Sequence, residues 1–310
     1  MRPEMNPFNK AIALALPFIP KSLVRKVSER YIAGSTLDDA VRTVRVLNSQ
    51  GAMATVDVLG EFITTLDQAR ENTMYCCEVL RRIHRDDLRG NLSIKLTSLG
   101  LALDEAVCEQ HVHEILVTAR ENGNQLVRMD MENSPYTTKT IHLYRKLRKE
   151  YSNVGVVLQS YLRRSPQDVD ELLADGSAMG VPTNVRLCKG IYVEPEAIAF
   201  QERREVQQNY LVCLEKLFQA RAYVGIATHD EFLIDEAKKL IRKYELTNEE
   251  FEFQMLLGVR ENIRDKLIRE GYRLRVYVPF GEDWYGYSIR RLKENPKMAG
   301  YIVKAMLTGK

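Results

Sequence analysis

The sequence predicts an α/β fold, a closed (β/α)8 barrel of the TIM type with extra helices before it. Short runs of apolar, often β-branched residues alternate with longer charged stretches of helical periodicity, at intervals of roughly thirty residues. No Pro/Gly/Ser-rich linker divides the chain. Because parallel strands need helical crossovers, this alternation favours a barrel, and a doubly wound open sheet is the alternative.

Eight runs are predicted as strands because each is short and rich in β-branched residues, and longer charge-rich stretches of helical sequence separate them. They span residues 53–59, 92–96, 126–131, 154–161, 184–188, 223–228, 251–256 and 274–278.

Helices are predicted between the strands, where apolar residues recur at helical spacing. They span residues 66–83, 103–121, 137–151, 165–179, 196–220, 230–244 and 260–270. Ser165 before Pro166 predicts a helix cap, and Gly123 and Gly271 predict helix ends.

Residues 1–50 are predicted to form one or more extra helices, and residues 51–310 the barrel, within a single domain 1–310. The apolar run at 11–19 contains Pro17 and is too short to span a bilayer. A helix packed on the domain is the favoured interpretation, and an interfacial membrane contact stays open.

Composition excludes several classes of function. The 45 basic and 42 acidic residues are dispersed and give a formal charge of +3, so no nucleic-acid partner is expected. The five cysteines lack C-x-x-C spacing, which argues against a disulfide framework or a zinc site and favours a reducing, cytoplasmic compartment. The histidines are scattered, so no metal site is expected.

Polar residues at the strand ends are the candidates for chemistry, because barrel enzymes react at the carboxyl ends of their strands. The rim would bring Lys95, Arg186 and Lys189 together with Asp130, an excess of cations that suits a carboxylate or pyrophosphate. Other polar strand-end residues are Gln159, Thr228, His229, Gln254 and Tyr277.

The last segment places Tyr287, Arg290, Arg291 and Glu294 on one helical face. A solvated charged face is the ordinary explanation for such a pattern. However, paired arginines beside tyrosines are suited to clamping a small carboxylate, since the guanidinium groups give bidentate hydrogen bonds. The segment therefore predicts a substrate-binding helix, with an amino acid as the substrate.

Six motifs, in order along the chain, resemble the barrel of flavin-dependent proline dehydrogenases. They are LSIKL at 92–96, VRLCKGIY at 185–192, ATHD at 227–230, FEFQ at 251–254, YVPFG at 277–281 and YxxRRLxEN at 287–295. Each is weak alone, but together they are specific and cover most of the chain.

The resemblance implies a barrel that binds FAD and oxidises L-proline to Δ1-pyrroline-5-carboxylate, the first step of proline catabolism to glutamate. Hydride would pass from proline C5 to flavin N5, and electrons to a membrane quinone. Because the sequence ends at Lys310, a monofunctional enzyme is expected, with a separate pyrroline-5-carboxylate dehydrogenase downstream. Its expected location is cytoplasmic, with peripheral contact at the inner face of the membrane left open.

The resemblance also implies residue roles. Asp130 and Arg186 would be the catalytic pair, while Lys95, Arg290 and Arg291 would hold the substrate carboxylate. Tyr192, Tyr277 and Tyr287 would wall in the proline ring. The cofactor side would comprise Met131, Gln159, Arg186, Lys189, Gly190, Ile191, Thr228, His229 and Glu294, the last bracing the helix. Ile191 stands where the family commonly has Ala, which adds bulk beside the flavin.

Two other classes of function stay open at this stage. One is a Schiff-base lyase on the same barrel, with Lys95 or Lys189 as the amine nucleophile. The other is a non-catalytic membrane-surface protein that uses the basic N-terminal helix.

Overall fold

Eight parallel strands form a closed barrel in sequence order, in a computed structural model that describes residues 25, 28–60 and 63–288. The strands are β1 Met53–Val58, β2 Gly90–Ile94, β3 Val127–Met129, β4 Val154–Gln159, β5 Asn184–Cys188, β6 Tyr223–Ala227, β7 Phe251–Leu256 and β8 Leu274–Phe280. β8 pairs with β1 in the register Val56 to Val278, which closes the sheet. The predicted barrel is confirmed, and the open sheet is excluded.

Helices surround the barrel and connect successive strands. In the described residues they are α1 Leu37–Ser49, α2 Leu66–Arg85, α3 Glu105–Glu121, α4 Ser134–Leu147, α5 Ser165–Met179, α6 Arg203–Gln219, α7 Glu231–Lys243 and α8 Glu261–Arg269. α1 lies within the segment predicted as extra N-terminal helix, and Thr36 and Asp39 cap it reciprocally. Apart from α6, the predicted boundaries differ from these by at most a few residues.

The predicted start of α6 at residue 196 is wrong, because the helix begins at Arg203. The chain before it is held instead against the end of β4. Arg163 N–H donates to the Ile198 carbonyl, Phe200 N–H donates to the Tyr161 carbonyl, and Leu162 and Ala199 form an antiparallel bridge. These backbone bonds take the groups that a helix over 196–202 would need.

The predicted cap at Ser165 is also wrong, since Arg164 occupies the cap position of α5 without a side-chain bond. Ser165 is already helical, and its Oγ donates to the Gln159 carbonyl at 2.6 Å, which ties the helix to the end of β4. Gly123 and Gly271 follow helices with φ of +88° and +84°, as predicted for helix ends.

The core lies mainly between the strands and the surrounding helices, where buried aliphatic side chains such as Leu80, Ile115 and Leu214 pack against the outside of the barrel. The barrel interior is largely polar at its centre. Side chains of Thr55, Ser93 and Arg186 meet there through hydrogen bonds between strands that are not neighbours.

Ion pairs connect adjacent helices around the ring. From α2 to the residue after α8 they include Arg70 with Glu114, Lys146 with Glu109, Arg145 with Asp175, Lys216 with Asp170, Lys243 with Glu215, and Lys238 with Glu270. None of the helices within the described ranges is long and apolar enough to cross a membrane.

Candidate active site

Lys95 lies at the carboxyl end of the barrel, one residue beyond β2, and is nearly buried. Its Nζ lies 2.5 Å from Oδ1 of Asp57 on β1 and 3.4 Å from the hydroxyl of Tyr277 on β8. Three adjacent strands thus fix the ammonium group, because β1 pairs with both β2 and β8. A lysine amine held in this way can bind a ligand carboxylate.

Asp130 and Arg186, the predicted catalytic pair, are in contact. Nη1 of Arg186 donates to Oδ1 of Asp130 at 2.7 Å, and the other carboxylate oxygen accepts from the Tyr277 hydroxyl at 2.8 Å. The guanidinium also lies over the Tyr277 ring, 5.4 Å from its centroid. Ser93 donates to the same Asp130 oxygen at 2.9 Å, so strands β2, β3, β5 and β8 all contribute to one network.

Tyr277 is the centre of this network and remains neutral at physiological pH. Burial and the nearby Asp130 charge raise its pKa well above the ordinary tyrosine range, and Arg186 only partly opposes the rise. A neutral phenol keeps its proton, and can therefore donate to Asp130 while its oxygen faces Lys95.

Asp57 was missed by the sequence reading and is the buried counter-ion of Lys95. Burial raises the pKa of Asp57 to about 6; the Lys95 charge opposes the rise and the Asp130 charge adds to it. Its second oxygen, Oδ2, has no hydrogen-bond partner among the described residues. A signal was present, since Asp57 is a lone charge within an apolar strand.

The expected excess of cations at the rim is offset by carboxylates. Lys95 pairs with Asp57, Arg186 with Asp130, and Lys189 with Asp230. The expectation counted Asp130 as the carboxylate of the rim and did not include Asp57 or Asp230. Lys189 remains 40% exposed, and its Nζ is 3.5 Å from the Asp230 carboxylate, the longest of the three contacts.

The loop after β5 carries Lys189, Gly190, Ile191 and Tyr192. Gly190 has φ of +104°, and a Cβ there would lie 2.1 Å from the Tyr161 ring, so only glycine allows this approach. Ile191 is exposed and Tyr192 is half-buried. The Ile191 side chain therefore points away from the packed core.

The remaining predicted residues lie along the same rim. Met131, Gln159 and Thr228 are buried; Gln159 donates to the Glu132 carbonyl, and Thr228 accepts from Asp230 N–H. Nε2 of His229 accepts from Leu256 N–H at 3.0 Å.

Tyr287 is buried against Ile32, Leu59 and Trp284, in a helical turn at 284–288. Arg290, Arg291 and Glu294, the rest of the predicted substrate-binding helix, lie outside the described residues. Within the described part of the chain, no cluster of metal-ligating side chains is present.

The fold and this geometry define a (β/α)8-barrel enzyme whose buried, charge-paired site opens at the carboxyl ends of the strands. A family model described as proline dehydrogenase matches residues 40–303. The chain belongs to the proline dehydrogenase family.

Similar proteins are found in several bacteria. "Proline dehydrogenase 2" of Bacillus subtilis strain 168 is 39% identical over 282 residues, which is 91% of each chain. "Proline dehydrogenase" of Deinococcus radiodurans is 35% identical over 289 residues, again 91% of each.

Solved structures of proline utilization A (PutA) share the fold. The protein from Bdellovibrio bacteriovorus superposes with a TM-score of 0.85 at 24% identity, over 93% of this chain and 36% of that one. The protein from Corynebacterium freiburgense gives a TM-score of 0.79 at 20% identity, over 98% and 35%. The chain thus spans about a third of these larger proteins.

Proposed function

We propose that this enzyme uses FAD to oxidise L-proline to Δ1-pyrroline-5-carboxylate. The proposal rests on a buried network of contacts in a protein of this family. The network runs from Asp57 through Lys95, Tyr277 and Asp130 to Arg186. The site combines a cation for a carboxylate with an aromatic ring for an apolar pyrrolidine.

The residues at the rim fit a pyrophosphate-bearing cofactor. Lys189 has a long ion pair and is partly exposed, so its ammonium can also reach a phosphate. Gly190 lets the backbone approach closely, and the neighbouring hydroxyl groups of Ser160 and Tyr161 are buried with no partner among the described residues. FAD would be held by Met131, Gln159, Arg186, Lys189, Gly190, Ile191, Thr228 and His229, with Glu294 bracing the last helix.

Bound FAD would supply the redox chemistry, accepting hydride from proline C5 at its N5 atom and passing the electrons to a quinone. The protein would supply binding and orientation. Lys95, with Arg290 and Arg291, would hold the substrate carboxylate, while Tyr192, Tyr277 and Tyr287 would cover the ring and exclude water.

Asp130 and Arg186 would form the catalytic pair beside the reacting carbon and nitrogen. The substrate nitrogen must be unprotonated so that its lone pair can assist the loss of hydride.

We further propose that residues 1–310 form one domain, that a separate dehydrogenase consumes the product, and that the enzyme works in the cytoplasm or against the inner face of the membrane.

The test is the absorption spectrum and the proline-dependent reduction of a dye by the purified protein. A yellow protein with non-covalent flavin and proline-dependent turnover is expected. A protein that neither binds FAD nor reduces the dye contradicts the proposal, and trapping of a carbonyl substrate by borohydride would favour a Schiff-base lyase instead.

The Lys95→Met variant tests the carboxylate contact. The KM for proline should rise roughly ten- to a hundredfold, because a hydrogen bond to a charged group is lost. Lys149→Met is the control, since Lys149 is an exposed lysine on the surface. An unchanged KM in Lys95→Met would exclude this role.

A further inference from the structure

The Arg186 guanidinium also makes a hydrogen bond to Gln254. The proposed chemistry gives Gln254 no role. Nε of Arg186 donates to Oε1 of Gln254 at 2.5 Å, on the side of the guanidinium away from Asp130. Gln254 lies on β7 and is buried. Its amide nitrogen donates to Oε1 of Glu252, two residues earlier on the same strand, at 2.6 Å.

Glu252 is ionised, because Arg275 on β8 is bound to it. The Arg275 guanidinium donates to both carboxylate oxygens, at 2.6 and 3.0 Å, and the Tyr223 hydroxyl donates at 2.8 Å. Burial alone would raise the pKa of Glu252, but these groups lower it to about 2. The Glu252–Arg275 pair is therefore a permanent buried ion pair at neutral pH.

An ionised carboxylate only accepts hydrogen bonds, and this fixes which way the Gln254 amide points. Its NH2 group must face Glu252, so its carbonyl oxygen must face Nε of Arg186. With the reverse orientation, the amide oxygen would meet the Glu252 carboxylate and the NH2 group would meet the Arg186 N–H. Both contacts would be repulsive.

Gly225 on β6 provides the space for this arrangement. A Cβ at this position would lie 2.5 Å from Nε2 and 2.9 Å from Cδ of Gln254. The Gln254 side chain thus lies across the glycine, in the barrel interior. No positive φ accounts for the glycine here, so the contact is its structural reason.

We propose that Arg275, Glu252 and Gln254 form a positioning relay that fixes the Arg186 guanidinium in the orientation it needs at the reacting centre. In this relay the Gln254 oxygen accepts from Nε of Arg186 and so fixes the rotation of the guanidinium. In that orientation Nη1 points toward Asp130. None of the three relay residues needs to touch the substrate. The catalytic part of this inference rests on the proposed function, whereas the orientation of Arg186 does not.

The kinetic test compares Gln254→Met with the parent enzyme. The length of the side chain is kept and the acceptor is lost, so kcat should fall roughly ten- to a hundredfold. The KM for proline should change by less than about threefold, because Lys95 is untouched. Gln125→Met is the matched control, since the Gln125 side-chain amide donates to the backbone carbonyls of Leu80 and Asn122, away from the site.

An unchanged kcat in Gln254→Met, or an equal loss in Gln125→Met, would overturn the relay. Gly225→Ala is a second test of the relay, because a methyl group on the neighbouring strand would displace the Gln254 amide. This variant should show the same selective loss of kcat.

A second measurement needs neither proline turnover nor a folded variant. In the unmodified full chain, the Arg186 Nε–H signal in 15N-edited NMR spectra should exchange with water at least roughly tenfold more slowly than that of exposed Arg42. Rapid exchange would overturn the relay whether or not the enzyme oxidises proline. Slow exchange in a protein inactive toward proline would support the relay and reject only the proposed function.

Discussion

Asp57 illustrates how a single buried group can cost stability at an enzyme site. Its pKa is raised to about 6 from an ordinary value of 3.8. A carboxyl group with a raised pKa binds its proton more tightly in the folded state than in the unfolded chain. Folding stability is therefore lost as the pH rises between these two values, and the loss is complete above about pH 6.

We predict that Asp57→Asn removes this dependence. The free energy of unfolding of the variant, minus that of the parent, should rise by on the order of 3 kcal/mol between about pH 4 and pH 7 and then level off. Urea unfolding at a series of pH values measures this difference. A difference that stays flat or falls with pH would show that Asp57 is not protonated in this range.

Gly190 has a backbone conformation and a close contact that require glycine. We predict that Gly190→Ala is destabilised by about 1–3 kcal/mol, because the new methyl group would clash with Tyr161 at a positive φ. If the proposed cofactor is correct, the variant should also bind FAD more weakly. Thermal melting and flavin titration are the measurements.

Gly271→Ala is the control for this change. Gly271 also has a positive φ, but open space surrounds its Cβ position. It should show only the backbone cost, about 1 kcal/mol, with normal flavin binding. Equal behaviour of the two variants would mean that the contact with Tyr161 is unimportant.

At the scale of elements, the loop between β5 and α6 is tied to α4 by one carboxylate. Both oxygens of Glu194 accept from Ser134, one from its backbone N–H and one from its hydroxyl, each at 2.7 Å. Asn133, at the cap position of α4, makes no side-chain bond. A residue from another loop thus serves as the helix cap.

We predict that Glu194→Ala loosens the loop at 189–202. Charge-assisted bonds of this kind contribute about 1.5–3 kcal/mol, so amide hydrogen exchange in this loop should accelerate roughly ten- to a hundredfold. Glu196→Ala, an exposed carboxylate in the same loop, should leave exchange unchanged. If both variants exchange at the parent rate, Glu194 does not hold the loop.

Elements with strong local patterns could be predicted from the sequence. β5, β7 and α5 have the predicted boundaries, because turn residues or glycine bound apolar runs of the appropriate period. The start of α6 could not be predicted, since it depends on pairing with residues 161–163. The contacts of Asp57 and Gln254 could not be predicted either, because Asp57 meets Lys95 at the end of the neighbouring strand and Gln254 meets Arg186 across the barrel interior.

At the scale of the whole molecule, ion pairs join the outer helices from one to the next. Each exposed pair contributes only about 0.2–1 kcal/mol, but the pairs recur around the ring. We predict that raising NaCl from about 10 mM to about 300 mM lowers the melting temperature by a few degrees, because salt screens these contacts.

The Lys216→Met variant should lose part of this salt sensitivity, since Lys216 joins α6 to Asp170 on α5. Lys149→Met should retain it. A melting temperature that is independent of salt in the parent would show that the ring of ion pairs does not contribute to stability.

The closed barrel could be predicted as a whole because strand and helix alternate throughout the chain. What could not be predicted is the content of its interior. Alternation identifies which residues point inward, but not that Arg186 would meet Gln254 or that Asp57 would meet Lys95. Those contacts follow from the register of strands in the closed sheet.

The pairing of β1 with β8 has a consequence for synthesis of the protein. The paired residues Val56 and Val278 are 222 residues apart in the chain. At about 5–20 residues per second, Val56 leaves the ribosome roughly ten to forty-five seconds before Val278. During that interval β1 has an unpaired edge, and such an edge can associate with other chains. The nascent chain therefore depends on rapid docking of its final strand, and its exposure to aggregation is set by the speed of translation.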